Sequence, residues 1–361
     1  MNDQEIYQII FSNFNESLKS YDNKSKSDFW IKFFDKSKIS KINQLNLKNF
    51  RKPKFWGSKL SSGMDDDFEF FPTMEAYIQL LDTVKKKDIL EYIELKVGNP
   101  KYYNIGGVDL NHHEISMFYS FNKISSYIKS EYKIVCEIGG GFGSLASKLK
   151  KKHDNLCIII IDLPEAIILQ SYYLLKLYPE KKFCFYNDFI KLTPEELRKN
   201  NYDFIIIPPW AKQKIINLFK IDYFINTHSF QEIDKEIVND YFKFIHKTIN
   251  ENGIFYCLNK YSKIINNTPI RISEYPYDNY WELLSSETGW RNQNMHELIV
   301  KRVKHENIST KKIIQNLPKE NSSISRSSTK LYIKLFVRKI LDCFMFFIPK
   351  KILFKLFKMY S

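Results

Sequence analysis

Glu137, Ile138, Gly139, Gly140, Gly141, Phe142 and Gly143 decide the architecture through what stands on either side of them. Before them come Ile134, Val135 and Cys136, an apolar segment of strand character. After them, residues 145–152 mix apolar and basic side chains at a helical period. A strand that runs through glycines into a helix is the opening unit of an open parallel sheet. The alternation continues outward. Apolar runs at 157–161, 183–186, 204–207, 223–226, 254–259 and 298–303 read as strands, and 164–178 and 235–249 as helices between them. This predicts an α/β fold: a Rossmann-like, mostly parallel sheet covered by helices over residues 131–305.

Glycines let a backbone approach a ligand closely, and here Gly139, Gly141 and Gly143 alternate around Gly140. The spacing is Gly-x-Gly-x-Gly, not the Gly-x-Gly-x-x-Gly of dinucleotide sites. Glu137 would repel a pyrophosphate, but it can pair with the α-ammonium of a methionine moiety. A sulfonium cofactor with an amino-acid tail therefore fits better than a dinucleotide. Asp162, 25 residues beyond Glu137 at the end of the next strand, can accept the two ribose hydroxyls. It also suits a helix N-cap ahead of Leu163 and Pro164, and the two roles are compatible. Two loops are candidates for the adenine. In one, Asp188 beside Asn187 would accept from the exocyclic amine; in the other, Trp210 after Pro208 and Pro209 would stack on the ring. Ordinary loop chemistry accounts for either equally well.

The chain resembles the sugar O-methyltransferases found in polysaccharide and glycosylated-metabolite clusters. The matching strings are the glycine loop at 137–143, Asp-Leu-Pro-Glu at 162–165, Tyr-Tyr-Leu at 172–174, Pro-Pro-Trp at 208–210 and Asn-Thr-His-Ser-Phe-Gln-Glu at 226–232. The resemblance spans about residues 29–302. It implies a class I methyltransferase that uses S-adenosylmethionine and accepts a sugar hydroxyl, in a cell-surface glycan or lipid-linked oligosaccharide. It places Glu137, Gly139, Gly141, Gly143 and Asp162 on cofactor positions. Gly140, Leu163, Asp188, Pro209, Trp210 and Asn226 complete the expected cofactor set.

A sugar hydroxyl is a poor nucleophile until its proton is being removed, so a base is expected. The candidates are His113, His228 and Glu232. His112 and His113 follow the Gly106–Gly107 pair ahead of a predicted helix at 113–128, and can fold over the cofactor or simply be solvated. His228 and Glu232 follow the strand at 223–226; the alternative is a capping box with Ser229 as N-cap. His296 and Glu297 are further candidates. Tyr275, Tyr277, Tyr280 and Trp281 offer either a sugar-stacking surface or core. Asp65, Asp66 and Asp67 point apart along the chain and have no partner ligands at matching spacing, so no metal is expected.

Residues 1–130 read as a helical cap without strands, with helices at 3–18, 28–34, 73–95 and 113–128 and a polar loop at 51–72. Residues 306–329 read as a polar linker. Of the net charge of +14 over 361 residues, +12 falls in 301–361, where fifteen Lys and Arg face three acids. The nearly neutral body argues against nucleic acid as a partner. Residues 330–361 form a basic, Phe- and Leu-rich amphipathic tail divided by Pro349. Its unbroken apolar run is far short of the roughly 20 residues that span a bilayer, so it reads as an interfacial anchor on an anionic membrane. The alternative is that it docks on protein. Cys136, Cys157, Cys184, Cys257 and Cys343 lie in apolar runs and read as buried thiols of a reducing compartment. With no signal-like start, the expected location is cytoplasmic, on the inner face of the membrane. A sugar oxidoreductase using NAD and a non-catalytic scaffold are the competing readings.

Overall fold

The computed structural model describes residues 2–20, 30, 44–52, 70–129, 131 and 133–321. Along the chain come α1 (Asp3–Lys19), α2 (Gln44–Lys48), α3 (Phe70–Leu81), α4 (Lys86–Glu91), β1 (Tyr103–Ile105), β2 (Val108–Leu110) and α5 (His112–Ser125). There follow β3 (Lys133–Ile138), α6 (Ser144–Lys152), β4 (Leu156–Ile161), α7 (Pro164–Leu177), β5 (Phe183–Phe185), α8 (Tyr186–Lys191), α9 (Pro194–Lys199), β6 (Phe204–Ile207) and α10 (Lys212–Ile216). The chain continues through β7 (Ile221–Thr227), α11 (Lys235–Thr248), β8 (Ile249–Lys260), β9 (Ser262–Ile265), β10 (Thr268–Arg271), β11 (Trp281–Thr288), β12 (Met295–Arg302) and α12 (Ile308–Gln315).

Eight of these strands form one sheet in the order β11-β12-β8-β7-β3-β4-β6-β5. From β5 to β8 every neighbouring pair is parallel; β12 is antiparallel to both β8 and β11. Every residue of β4 and β6 is buried, as expected of strands covered on both faces. The chain leaves β3 toward β4 on one side and returns to β7 on the other. The crevice at the carboxyl ends of β3 and β7 is therefore the topological switch point, where ligands bind in such sheets. This is the Rossmann-like α/β architecture that the sequence predicts.

Two compact units divide the described residues, one within Met1–Gln44 and Ser126–Ser322, the other within Leu45–Ser125. That division corrects the single cap drawn over 1–130. Helix α1 belongs with the sheet: Lys176 on α7 pairs with Asp3 at 2.8 Å, and the Asn187 backbone N–H donates to Asn13 Oδ1 at 2.9 Å. Its Ile6, Ile10 and Phe14 supply the apolar stripe it buries.

In the other unit the expected helix at 73–95 breaks in two, because Asp82, Lys85, Lys86, Lys87 and Asp88 leave no apolar face to continue it. The absence of strands is also overturned. β1 and β2 form a hairpin on Gly106 and Gly107, which take φ of +62° and +83°, the torsions a tight two-residue turn demands. The unit's fixed point is a buried ion pair, Arg51 to Glu114 at 2.6 Å, with Arg51 also donating to the Glu94 and Val97 carbonyls.

The polar linker begins later than its composition suggests. Asn307 caps α12, Thr310 accepts from the Leu283 N–H at 3.1 Å, and Ile314 is buried. Asn321 exchanges hydrogen bonds with the Ser262 backbone, so residues to 321 dock on the sheet unit. Strand β11 went unread because it is an edge strand whose Ser285, Ser286, Glu287 and Thr288 look like loop. Tyr275, Tyr277 and Trp281 are core: Tyr277 lies 4.7 Å from Phe242 and 5.8 Å from Trp281, ring centre to ring centre. The stacking-platform reading of these three rings is thereby withdrawn. Cys136, Cys157, Cys184 and Cys257 are buried free thiols. The helix expected at 28–34, Asp65 to Asp67, most of the 51–72 loop, Cys343 and the tail lie outside the described residues.

Candidate active site

The loop leaving β3 is built around positive torsions at Gly139 (+75°), Gly141 (+60°) and Gly143 (+91°). At Gly139 the requirement is double. An added Cβ would stand 2.3 Å from both Cβ and Oγ of Ser229, so only glycine lets the loops after β3 and β7 lie against each other. Ser229 is held in place, with its Oγ donating to the Ile138 carbonyl at 3.1 Å and accepting from Asn226.

Glu137 ends β3 inside this loop at 2% exposure. A Cβ at Gly140 would lie 3.2 Å from Glu137 Oε2, which places the carboxyl directly against the glycine run. That oxygen has no hydrogen-bond partner among the described residues. Burial, and secondarily the charge of Asp162, push the Glu137 carboxyl up to about 8. Asp162 organises the loop from the next strand. Its Oδ2 accepts from the Gly141 N–H at 3.1 Å and from Gln170 Nε2 at 2.7 Å, and its Oδ1 accepts from the Leu163 N–H at 2.8 Å. Three donors on a group with about four acceptor positions leave one direction on Oδ1 for a ligand. Burial raises this carboxyl to about 7, against the pull of those three donors.

Several expected site residues have other employment. Asn226 is fully buried: its amide donates to the Ile138 carbonyl and to Ser229, and its oxygen accepts from Asn259 and from the Phe230 N–H. With all of this taken it is a bracket joining β3, β7 and β8, not a ligand contact. Trp210 is half-buried against the core with its indole N–H on the Tyr186 hydroxyl at 3.3 Å, and Pro209 is buried in a single 3-10 turn. Asp188 is exposed on α8 beyond β5, the outermost strand.

Among the expected bases, His228 and Glu232 stand together after β7, while His113 belongs to the other unit, where Asn111 Oδ1 accepts its N–H. His228 takes φ +64°, and its N–H is anchored on the Leu258 carbonyl at 2.8 Å. The residue as a whole is exposed. Surrounding protein, with Lys260 and Lys263 adding to it, lowers its pKa to about 4, so the imidazole is neutral near pH 7. Glu232 pairs with Lys263 at 2.6 Å. The capping box with Ser229 does not form, because the Ser229 hydroxyl is turned to Ile138. His296 is buried between Ser286 and Tyr261, and Glu297 beneath Tyr256, so both are structural.

Gln170, Ser229 and Asn259 hold the site and were not singled out from sequence. Gln170 carried a signal: it is the one amide in the long apolar stretch of α7 and is fully buried. Asp162→Ala removes three hydrogen bonds at once and frees Gly141. Affinity for the cofactor proposed below should fall by about 1–3 kcal/mol, read by calorimetric titration.

No family model matches this sequence, and no curated protein does. Solved structures with a similar sheet include a precorrin-6y C5,15-methyltransferase from Geobacter metallireducens, at 10% identity over 52% of this chain and 87% of that one, TM-score 0.32. A mitomycin 7-O-methyltransferase is similar at 13% identity over 53% and 55% of the two chains, TM-score 0.33. An rRNA methylase from Streptococcus thermophilus is similar at 11% identity over 52% and 95%, TM-score 0.35.

Proposed function

We propose that the chain is an S-adenosylmethionine-dependent O-methyltransferase whose acceptor is a sugar hydroxyl. One observation carries the cofactor: a buried carboxyl oxygen with no partner among the described residues, Glu137 Oε2, set against a glycine loop at the switch point of the sheet. A cation with close backbone contact satisfies both features, and the α-ammonium of an amino-acid tail is such a cation. Glu137 and the 139–143 backbone would hold the amino-acid end, and Asp162 Oδ1 the ribose. When bound, this cofactor supplies an electrophilic methyl on sulfur.

The chain's own work is to hold the acceptor oxygen in line and to take its proton. Our choice of base is His228, neutral near pH 7, over Glu232, which is held by Lys263. The sugar acceptor rests on the resemblance of the 226–232 string. The test is transfer of a labelled methyl group from S-adenosylmethionine to glycan and lipid-linked oligosaccharide acceptors. Labelled sugar supports the reading; label on no sugar, with cofactor bound, refutes the acceptor.

The basic tail extends the proposal to the membrane. Several Lys and Arg near an anionic surface contribute about 1 kcal/mol each, enough with the Phe and Leu residues for reversible attachment. Liposomes of anionic lipid should float the full chain but not one ending at Glu306, and added salt should release part of it. Equal flotation of both chains, or of neither, removes the membrane.

A further inference from the structure

The turn after β7 brings one ammonium without an ion-pair partner among the described residues beside His228. Three connections fix its geometry: the His228 N–H on the Leu258 carbonyl, the Gln231 N–H on Asn259 Oδ1 at 3.2 Å, and the Lys260 N–H on Gln231 Oε1 at 2.7 Å. The end of β8 is thus tied to the turn, and Lys260 is carried beside His228. From β9, Lys263 reaches back to Glu232 at 2.6 Å. Lys260 Nζ has no hydrogen-bond or ion-pair partner among the described residues. All of these groups stand at the carboxyl end of the sheet.

We infer that this turn binds an acidic acceptor, a sugar bearing a phosphate or carboxylate group, which Lys260 engages directly and Lys263 joins as it loosens from Glu232. The inference rests on the reading of this end of the sheet as the acceptor side. It also gives His228 its function. Crowding by protein and, behind it, the two lysines disfavour an imidazolium, so an acceptor that neutralises the lysines relieves part of that penalty when substrate is in place.

The test follows the His228 ring by NMR of the full chain with labelled histidine, assigned through His228→Gln. Glucose 1-phosphate, glucuronate and glucose are added in separate titrations. Either anionic sugar should raise the His228 pKa by about one unit or more, and the one that does so identifies the group; glucose should not. Lys260→Ala should weaken anion binding about tenfold, whereas Glu232→Gln should tighten it several-fold by releasing Lys263. Absence of a shift with both anions overturns the inference, as does an equal shift with glucose. Unchanged anion affinity in both variants overturns it as well. S-adenosylmethionine binding is measured on the same samples. Anion binding without cofactor binding would refute the function and leave this site standing; the reverse would refute this site alone.

Discussion

Gly139→Val is expected to abolish cofactor binding, with affinity for S-adenosylmethionine or S-adenosylhomocysteine falling by at least about 10³-fold. A β-branched residue at φ +75° is a true outlier, and its Cβ would occupy the same space as the Ser229 side chain. Ser229 has nowhere to turn, since Asn226 and the Ile138 carbonyl hold its hydroxyl. The loop must move instead, taking Gly141 away from Asp162 and uncovering Glu137. Strain and overpacking of this kind cost about 1–3 kcal/mol of stability, so the variant should still fold, with a lower melting temperature. Calorimetric titration alongside thermal unfolding separates the two effects. Unchanged affinity in a folded variant would mean that the glycine loop does not hold the cofactor.

Glu137→Gln is expected to lower cofactor affinity by about 10²-fold, because it removes the charge that pairs with the ammonium and keeps the shape. The same variant should be more stable than the parent without ligand, in a pH-dependent way. Glu137 has a folded-state pKa raised from 4.5 to about 8. Its contribution to stability is therefore complete below pH 4.5 and is lost as pH rises toward 8, where a charge must be held in a dry site. Glutamine loses nothing over that range. The stability difference between variant and parent should be small near pH 4.5 and grow by up to about 1.4 kcal/mol per pH unit toward pH 8, followed by denaturant melts across the window. A difference that does not change with pH would place the Glu137 carboxyl in water.

The sheet was legible in sequence because its central strands are buried on both faces and read as unbroken apolar runs, as at Cys157 to Ile161 and Phe204 to Ile207. β11 and the β1–β2 hairpin were not, since an edge strand with one wet face and a three-residue strand leave too little periodicity to read. The glycine loop was legible for a different reason: its torsions admit little else. Which polar residues touch ligand and which only support the loop was not legible. Asn226 and Asp162 both end strands as single polar residues, yet Asn226 is fully consumed by Ile138, Ser229, Phe230 and Asn259, while Asp162 keeps an oxygen direction open. That difference depends on partners far away in the chain. The α12 region reads as linker because Ser309, Lys311, Lys312 and Gln315 interrupt its apolar residues, but the buried Thr310 and Ile314 seat the helix.

The central claim is that Glu137 awaits a cation, and calorimetry of S-adenosylmethionine binding at pH 7 in buffers of different ionisation enthalpy tests it most directly. A carboxyl with a pKa of about 8 is mostly protonated at pH 7 and must ionise to pair. The predicted result is tight binding with release of close to one proton, most of that release lost in Glu137→Gln, and no binding of NAD. Binding of NAD in preference to S-adenosylmethionine, or binding of S-adenosylmethionine with the same proton release in Glu137→Gln, would contradict it.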